Sequence, residues 1–505
     1  MAIVQIGGKR LTVEDVVAVA RGGQSVDLAS TAAEAIEASA ASLETLLLAG
    51  RSVYGVTTGV GALDNQTAQL TANAAQQRSL LRSHAAGVGK PMPVDQVRAM
   101  LLVRAHALAA GFSGVSLRVV QTLAQMLNSG ITPWVPRSGS VGTSDVVPMA
   151  HAGLVMIGEG RASIDGRWMD GGLAMERAGL TVIDLEGRDG LALMNGLAQS
   201  VGIGALAVND ARCLVRLTEM TTAMSTVAVG ALFSSVEERS VSAKGDEHTS
   251  ASAAVIRSFL EGAQGADDGD RDSGARIREH LSTRTAHHVC GAARDAVGHG
   301  QETVHRELNA VVDNPMIARD GWMTNNASNG DGTHLAQAMD LLADSVTTLA
   351  VSSERRTARL LDPSHNGGLP AFLVHPEAAA RTGSVPSGLM IAQYTAAALV
   401  AEMRMRSVPA SVQSIPTGAN TEDYVSMCPL AARRALWAAA QARTVLAIEL
   451  LCACQALDVR RLPPPPRLQA AYDAVRARLP VMIEDRPPGA DIESVVSVME
   501  ELEEA

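Results

Sequence analysis

The stretch "GLAQSVGIGALAVNDARCLVRLTEMTTAMSTVAVGALFSSVEE" (residues 196–238) indicates the fold class of this chain. Its apolar residues recur with helical periodicity, and it contains few residues that break a helix. Four further stretches share this character, at 285–311, 333–361, 387–405 and 429–457. Stretches of this length, rich in Ala and Met, predict a bundle of long and nearly parallel helices.

The composition of the 505 residues supports a helical interior. Apolar residues make up 47% of the chain and the mean hydropathy is +0.11, yet aromatic residues make up only 2%. An interior with so few aromatic residues favours closely packed helices over a β structure. Strand-like alternation is scarce, and we expect small hairpins only at "AIVQIGG" (2–8) and "GRASIDGRWMD" (160–170). The predicted fold class is therefore all-α.

Changes in composition and in the length of the predicted helices along the chain predict three domains. Short helical runs alternate with Gly-containing loops in 1–195, which we expect to form a small N-terminal domain. The long helices of 196–460 form the predicted central bundle, interrupted by the Gly- and Asp-rich segment "GAQGADDGDRDSGAR" (262–276), a predicted mobile surface loop. The run "RRLPPPP" (460–466) ends the bundle, and 461–505 is a predicted C-terminal helical segment with an acidic tail.

Charge and cysteine usage restrict the partners and the compartment. Lys and Arg number 42 against 53 Asp and Glu, a net charge of −11, which argues against nucleic acid or an anionic membrane as a partner. The N-terminal sequence lacks a signal-peptide pattern, and the most apolar window (436–457) contains Arg443 and Glu449, as expected of a buried helix rather than a membrane span. Five scattered cysteines without metal-ligand spacing predict free thiols in the cytoplasm, and no metal site.

Five segments carry polar residues that packing alone does not require. Tyr54 stands in a Gly-punctuated loop, where the backbone can approach a ligand closely. His84 precedes another Gly turn, and Asn195 stands at the head of a predicted long helix, where it could cap the turn or bind substrate. The remaining two segments are "STRTAHH", with Arg284, His287 and His288, and "TGANTEDYVSM", with Glu422 and Asp423. Each residue taken singly is also compatible with a structural role.

Taken together, these segments resemble the histidine and phenylalanine ammonia-lyase superfamily. The order and wording of the matching segments follow the family from residue 54 to 427, and the bacterial histidine lyases are the most similar branch. The matching segments are "YGVTTGVG", "QRSLLRSHAAGVGKPMP", "GFSG", "VPRSGSVGTSD", "LALMNG", "NAVVDNP", "SSERR", "SGLMIAQYTAAAL" and "TEDYVSM".

The resemblance implies a small N-terminal domain on a long up-down helical bundle. It also implies a homotetramer whose active sites are each built by more than one subunit, and the removal of an amine and a β-hydrogen from an aromatic α-amino acid. Tyr54 matches the catalytic base, and His84 matches a position lining the substrate ring pocket. The other matching positions bind the substrate or assist the chemistry: Asn195, Arg284, Thr333, Met390 and Glu422.

The physical demands of this chemistry agree with those roles. A substrate carboxylate requires a fixed guanidinium, which Arg284 can supply, and an imidazole-like ring requires an acidic or His partner such as Glu422 or His84. The β-proton is weakly acidic, so the base must be strong and yet deprotonated. We therefore expect nearby positive charge or helix N-termini to lower the pKa of the Tyr54 phenol from about 10.

The chain departs from the family at the group that defines it. Family members carry Ala-Ser-Gly or a close variant, followed by Asp, and these three residues cyclise into an electrophilic methylidene-imidazolone ring. Here Thr143-Ser144 runs directly into Asp145, so the glycine whose unhindered nitrogen closes the ring is missing. We expect the Asp145 side chain to cap the following helix instead. Ser144, predicted to be catalytic together with Tyr54 and Glu422, then keeps its hydroxyl, which could contact an anionic substrate group.

Two further departures lie in segments that the family places around the ring. Leu281 replaces a usual active-site tyrosine, and Thr333 replaces the Phe beside the prosthetic group. We therefore expect no external cofactor and no methylidene-imidazolone from Thr143-Ser144-Asp145. The resemblance extends to ergothionases, members that manage without the ring because they eliminate trimethylamine from a histidine-derived betaine.

Three interpretations of the sequence remain open. The first is an ergothionase-like lyase that eliminates an amine from a histidine-like or aromatic betaine. The second is a conventional ammonia-lyase or aminomutase whose Thr-Ser-Asp still cyclises. The third is an inactive relative that acts as a binding subunit, against which the retention of Tyr54 argues.

Overall fold

The computed structural model describes residues 3–263 and 278–504. Most of the predicted mobile loop at 262–276 lies outside the described residues. Helices dominate the described part, and the predicted all-α class is confirmed. In chain order the helices are α1 (Val13–Ala20), α2 (Ser30–Leu48), α3 (Asn73–His84), α4 (Val94–Leu108), α5 (Leu117–Asn128), α6 (Val146–Met156), α7 (Gly171–Arg177), α8 (Asp189–Met194), α9 (Ala198–Ala228), α10 (Glu238–Ser242), α11 (Glu247–Leu260), α12 (Leu281–Arg284), α13 (Ala286–Leu308), α14 (Thr333–Leu361), α15 (Ala378–Thr382), α16 (Met390–Met405), α17 (Cys428–Arg460), α18 (Gln469–Arg478) and α19 (Pro488–Glu504).

The strands are short. They are β1 (Val4–Ile6), β2 (Val26–Leu28), β3 (Val88–Pro91), β4 (Thr132–Pro133), β5 (Pro136–Ser138), β6 (Arg161–Ile164), β7 (Arg167–Asp170), β8 (Met316–Ile317) and β9 (Met323–Thr324). The predicted hairpin at 160–170 is confirmed, because β6 and β7 pair antiparallel from Arg161–Asp170 to Ile164–Arg167. The hairpin predicted at 2–8 is wrong, since β1 pairs in parallel with β2 after the intervening helix α1.

The five long helices predicted from the sequence correspond to α9, α13, α14, α16 and α17. The first of them ends ten residues earlier than its pattern suggests, at Ala228 rather than residue 238. Gly230 follows with a φ of 61°, a left-handed conformation that glycine adopts without strain and that often ends a helix. Apolar periodicity continues past this turn because the next segment is also buried in places.

The chain divides into two compact units, each assembled from three segments. Unit 1 comprises residues 1–209, 300–340 and 409–434, and unit 2 comprises 210–299, 341–408 and 435–505. These units follow different boundaries from the three consecutive domains expected from the sequence, which stay a prediction. In unit 1, the almost fully buried α4 packs against α1 and α5, while α3, α6 and α8 form a second mutually packed group.

In unit 2, a buried ion pair accounts for Glu449, one of the two charges named in the most apolar window. Glu449, on α17, is completely buried and pairs with Arg356 of α14 at 2.6 and 2.8 Å. The Ser225 hydroxyl of α9 donates a further hydrogen bond to the same carboxylate at 2.7 Å. A buried charge of this kind requires such partners, and the pair ties three helices of the unit together.

One stretch of the described residues, Asp189–Ala228, is long and apolar enough to cross a membrane, but 94% of its apolar window is buried inside the protein. A core helix passes the same test of length and composition. All five cysteines are free thiols, and four of them are buried. Within residues 3–263 and 278–504, no cluster of His, Cys, Asp and Glu could hold a metal ion.

Candidate active site

The ends of α3, α6 and α8 bring three of the predicted site residues into one unit. His84 is the last residue of α3, Ser144 lies two residues before α6, and Asn195 follows α8 directly. The three helices approach closely because α6 carries Gly153, where an added Cβ would lie 2.7 Å from a Leu193 methyl and 2.8 Å from a Leu81 methyl. The sequence thus builds the site from helix ends, where backbone groups and polar caps remain available.

Tyr54 lies in a turn that packs against α8. Its hydroxyl oxygen accepts a hydrogen bond from the Gly61 N–H at 2.6 Å, and its backbone N–H donates to Asn325 Oδ1 at 3.0 Å. Gln77 fastens the turn, since its Nε2 donates to the Gly55 carbonyl at 2.9 Å and its Oε1 accepts from the Leu191 N–H at 3.1 Å. The phenol therefore has a fixed position.

The expectation of a lowered pKa for Tyr54 is wrong for this chain. Burial raises the pKa of the phenol above its ordinary value, and the negative charges of Glu422 and Asp64 act in the same direction. The hydrogen bond from Gly61 and the positive charge of Arg188 oppose this rise but do not reverse it. Burial destabilises the Tyr54 phenolate more than the hydrogen bond from Gly61 and the charge of Arg188 stabilise it.

Asn195 connects Ser144 to a buried ion cluster. Its Oδ1 accepts a hydrogen bond from the Ser144 hydroxyl at 2.6 Å, while its Nδ2 donates to Asp313 Oδ1 at 3.1 Å and to the Asn314 carbonyl at 2.7 Å. The amide side chain is thus oriented from both ends. It closes α8 rather than capping α9 with its side chain.

The ion cluster behind Asn195 was missed by the sequence reasoning. Both oxygens of Asp313 accept hydrogen bonds from Arg188, at 2.9 and 2.5 Å, and Arg104 lies 3.5 Å from the same carboxylate. All three side chains are almost completely buried, and burial lowers the pKa of Arg104 to about 10. Asp313 belongs to "NAVVDNP", one of the segments that match the family, and this match could have indicated a role for Asp313.

The opening of α6 differs from the expected helix cap. Asp145 occupies the N-cap position, but its side chain makes no capping hydrogen bond. Its fully buried carboxylate instead accepts hydrogen bonds from the Ser140 hydroxyl at 2.7 Å, the Ser200 N–H at 2.8 Å and the Ser200 hydroxyl at 3.2 Å. Serine donors outside α6 satisfy the carboxylate instead of the helix's own N–H groups, so the capping prediction is wrong.

Ser144 adopts a strained backbone conformation beside a second chain segment. Its φ is 62°, in the left-handed region that non-glycine residues rarely occupy. Its N–H donates to the Gly330 carbonyl at 3.3 Å, and a Cβ on Gly330 would lie only 2.7 Å from the Ser144 hydroxyl. The glycine therefore allows the segment 329–333 to lie directly against the serine.

The remaining predicted residues of unit 1 are Thr333, Glu422 and His84. Thr333 begins α14, and its hydroxyl lies 3.2 Å from the hydroxyl of Tyr424, an aromatic residue not singled out from the sequence. Glu422 is half-buried, with its backbone paired to Thr417, and its charge reaches Tyr54. His84 Nδ1 lies 2.9 Å from the Leu80 carbonyl, which favours a proton on Nδ1 and leaves Nε2 as the acceptor.

Arg284 and Met390 belong to unit 2. Arg284 ends α12, and within the described residues its Nε is buried without a hydrogen-bond partner. Met390 begins α16 and is half-buried, whereas Leu281 at the start of α12 is 61% exposed. His287 and His288 stack at a centroid distance of 4.2 Å near the start of α13, and burial lowers the pKa of His287 to about 4.

Comparison with known proteins identifies the family. The sequence profile described as "Aromatic amino acid lyase" matches residues 11–477. A histidine ammonia-lyase of Treponema denticola is 41% identical over 458 residues, covering 90% of this chain and 88% of the relative.

Two solved structures have closely similar folds. The tyrosine aminomutase of Streptomyces globisporus shares 33% identity with a TM-score of 0.90, over 99% of this chain and 97% of that chain. The ergothioneine-degrading ergothionase of Treponema denticola shares 29% identity with a TM-score of 0.90, over 99% of both chains. This chain belongs to the aromatic amino acid lyase family and is a carbon–nitrogen lyase of the ammonia-lyase type.

Proposed function

We propose that this lyase eliminates an amine from a histidine-like or aromatic amino acid betaine, without forming a methylidene-imidazolone ring. The observation that carries the proposal is the buried carboxylate of Asp145, held by the Ser140 hydroxyl and by two groups of Ser200. The family forms its prosthetic group from its own chain at this segment. The residues present here fit that ring poorly.

The misfit follows from the geometry of ring closure. Closure requires the Asp145 nitrogen to attack the Thr143 carbonyl carbon, which turns the intervening peptide. That nitrogen donates its hydrogen to the Gly196 carbonyl at 2.6 Å, and its residue carries a Cβ and a fixed buried side chain where the family has glycine. Turning the peptide would strain or break these hydrogen bonds. The Ser144 hydroxyl, which would be lost as water, is engaged with Asn195 at 2.6 Å.

A betaine substrate removes the need for the ring. In our mechanism the Tyr54 phenolate takes the β-proton, the C–H electron pair forms the Cα=Cβ bond, and the C–N pair leaves with the nitrogen. A quaternary nitrogen departs as a neutral tertiary amine, so no electrophile is required to activate it. The product is an unsaturated carboxylate, and the proton rests on Tyr54 until solvent removes it.

The other residues bind and orient the substrate in this proposal. Arg284 holds the carboxylate, and its Nε, which is buried without a hydrogen-bond partner among the described residues, can donate to that anion. Glu422 and the His84 Nε2 bind the ring, and Thr333 and Met390 line its pocket. Asn195, fixed through Asp313, positions the Ser144 hydroxyl, which can turn its proton from Asn195 Oδ1 to the anionic end of the substrate.

The similarity to ergothionase supports a betaine substrate, since that relative degrades a histidine-derived betaine. The identity to a histidine ammonia-lyase supports the alternative, a conventional ring-dependent lyase or aminomutase acting on a primary amine. An inactive binding subunit is the third possibility, and the hydrogen bonds that fix Tyr54 and Asn195 argue against it.

We also propose that the enzyme is a cytoplasmic homotetramer with shared active sites. Large apolar side chains of the single chain are exposed between residues 385 and 415, as expected of surfaces that subunits cover. They include Val385, Met405, Val412 and Ile415. Five free cysteines agree with a reducing compartment.

Intact mass spectrometry of the purified protein tests the proposed absence of the ring. We expect the mass of the uncyclised chain, no inactivation by borohydride or cyanide, and faster turnover of histidine trimethylbetaine than of histidine. The mass measurement needs no activity assay. A mass lighter by two water molecules, together with turnover of free histidine, would restore the conventional lyase.

A further inference from the structure

Tyr424 is the aromatic side chain that the structure adds to the site. Its hydroxyl lies 3.2 Å from the Thr333 hydroxyl at the start of α14, and the side chain is 52% exposed. The Thr333 N–H donates to Asp331 Oδ1 at 3.0 Å, which fixes the first turn of the helix. The phenol is therefore oriented from its hydroxyl end, while half of its surface remains accessible to a ligand.

The segments around Tyr424 lead directly to Ser144. Asp331 pairs with Thr143 in an isolated antiparallel bridge, and the Gly330 carbonyl accepts the Ser144 N–H. On the other side of Tyr424, Ser426 donates to the Gly142 carbonyl at 2.8 Å, and the Met427 N–H donates to the Val141 carbonyl at 2.9 Å. The segment before Thr333 and the segment after Tyr424 thus both form hydrogen bonds with residues 141–144.

Glu422 lies two residues before Tyr424 and contributes the charge. Its carboxylate acts on Tyr54, so the segment 422–424 presents an anion toward the proposed base and an aromatic ring beside α14. Aromatic rings are scarce in this protein, with four Trp, four Tyr and four Phe among 505 residues. An exposed aromatic ring whose hydroxyl is anchored on Thr333, beside a segment that also carries a carboxylate, suits a large, weakly hydrated cation.

We propose that the face of Tyr424 contacts the quaternary ammonium group of the substrate and selects it over neutral groups of the same shape. This inference rests on the proposed betaine substrate and names the residue that recognises its cationic end. A trimethylammonium group is attracted by the negative face of an aromatic ring, whereas a tert-butyl group of equal size is not. Glu422 alone would attract any cation, including a primary ammonium.

Binding of two matched probes tests the inference. The first is histidine trimethylbetaine and the second is its carbon isostere, in which a tert-butyl group replaces the trimethylammonium group. Affinities are measured by calorimetry with the tetramer, using the Tyr54→Phe background to prevent turnover of the betaine. We expect the betaine to bind more tightly than the isostere, and Tyr424→Leu to reduce that preference about 5- to 30-fold.

Two further variants separate recognition from damage. Tyr424→Phe keeps the aromatic face but loses the hydroxyl, so we expect it to retain most of the preference. Trp168→Leu removes an aromatic ring of the β6–β7 hairpin that packs against Trp134. We expect this control variant to leave the preference unchanged. If Tyr424→Leu binds both probes with the wild-type ratio, the inference is wrong and Glu422 accounts for the selectivity.

The wild-type enzyme distinguishes this failure from that of the proposed function. Turnover of the betaine by a chain of uncyclised mass, with an unchanged ratio in Tyr424→Leu, overturns the role of Tyr424 alone. A wild-type chain that is lighter by two water molecules and does not bind the betaine overturns the proposed function, and this inference with it.

Discussion

Tyr54 is held where its proton is difficult to remove. Its turn is fixed by Gln77 and by the N–H of Gly61, and burial together with Glu422 and Asp64 raises the pKa of its phenol. A base with a raised pKa is strong once deprotonated, but only a small fraction is deprotonated at neutral pH. The position of Tyr54 therefore makes its phenolate a stronger base but lowers the fraction of Tyr54 that is deprotonated at neutral pH.

This arrangement predicts an alkaline pH dependence that nearby charges control. We expect kcat/KM to rise with pH toward the raised pKa of Tyr54, because only the phenolate accepts the β-proton. Asp64→Asn removes a negative charge that raises this pKa, so the alkaline rise should move to lower pH by about half a unit. The pH–rate profiles of the wild type and the variant check the shift.

Glu422→Gln should shift the profile in the same direction, but it should also raise KM because Glu422 is a proposed substrate ligand. Asp64→Asn is the cleaner variant, since Asp64 has no proposed contact with the substrate. Tyr54→Phe should lower kcat about 10²- to 10⁴-fold and flatten the alkaline limb. Profiles that coincide in wild type and Asp64→Asn, or an alkaline limb that persists in Tyr54→Phe, would contradict Tyr54 as the base.

The sequence singles out individual residues where their segment is distinctive, and their roles stay predictions. Tyr54, Ser144 and Asn195 stand in segments whose wording is unusual, and the structure places all three in unit 1. Tyr424 was not predicted as a site residue because its hydroxyl contacts Thr333, which lies 91 positions away in the sequence. The pKa of Tyr54 was misjudged for a related reason, since burial and the charge of Glu422 are properties of the folded chain.

At the scale of elements, Asp145 joins two helices rather than capping one. It stands at the start of α6, and its carboxylate accepts two hydrogen bonds from Ser200 in the first turn of α9. Ser140 supplies a third donor from the preceding loop. The carboxylate thus fixes the opening of α6 relative to the residue pair Ser144–Asn195.

Asp145→Ala should therefore destabilise the protein. The change leaves the buried N–H and hydroxyl of Ser200 and the half-buried hydroxyl of Ser140 without their acceptor, which should lower the free energy of unfolding by about 2–4 kcal/mol. Urea denaturation of the two proteins measures the difference, provided that both unfold reversibly.

Asp246→Ala is a matched control for a true helix cap. The Asp246 side chain accepts a hydrogen bond from the Thr249 N–H at 2.8 Å at the start of α11, and its loss should destabilise the protein less than Asp145→Ala does. Equal costs for the two substitutions would mean that Asp145 contributes no more than an ordinary cap.

Helices were predictable because their periodicity extends over many residues, whereas strand pairing was not. The alternation in 160–170 contains its own turn, so the β6–β7 hairpin is local. The alternation at the N-terminus has no local partner, because Thr12 and Asp15 form a capping box that starts α1 and postpones the pairing to β2. Buried charges such as Glu449 also become intelligible only when their partners are known.

At the scale of the whole molecule, the residues assigned to the proposed site are divided between the two compact units in sequence. Tyr54, Ser144, Asn195 and Glu422 belong to unit 1, and Arg284 and Met390 belong to unit 2. The resemblance implies that the segments of Tyr54 and Arg284 meet from different subunits of a tetramer. If the proposed tetramer shares its sites in this way, activity depends on assembly.

Complementation between two inactive variants tests this dependence. Tyr54→Phe and Arg284→Gln are each expected to be inactive as homotetramers, and light scattering should show both to be tetrameric. When the two are co-expressed and purified as hybrids, a site that takes Tyr54 from one chain and Arg284 from another carries neither substitution in about one quarter of cases. Activity should therefore recover to roughly a quarter of wild type.

Mixing the purified homotetramers without subunit exchange is the control and should restore no activity. Hybrids that stay inactive would show that each site takes both residues from one chain, and an active monomer would contradict shared sites altogether.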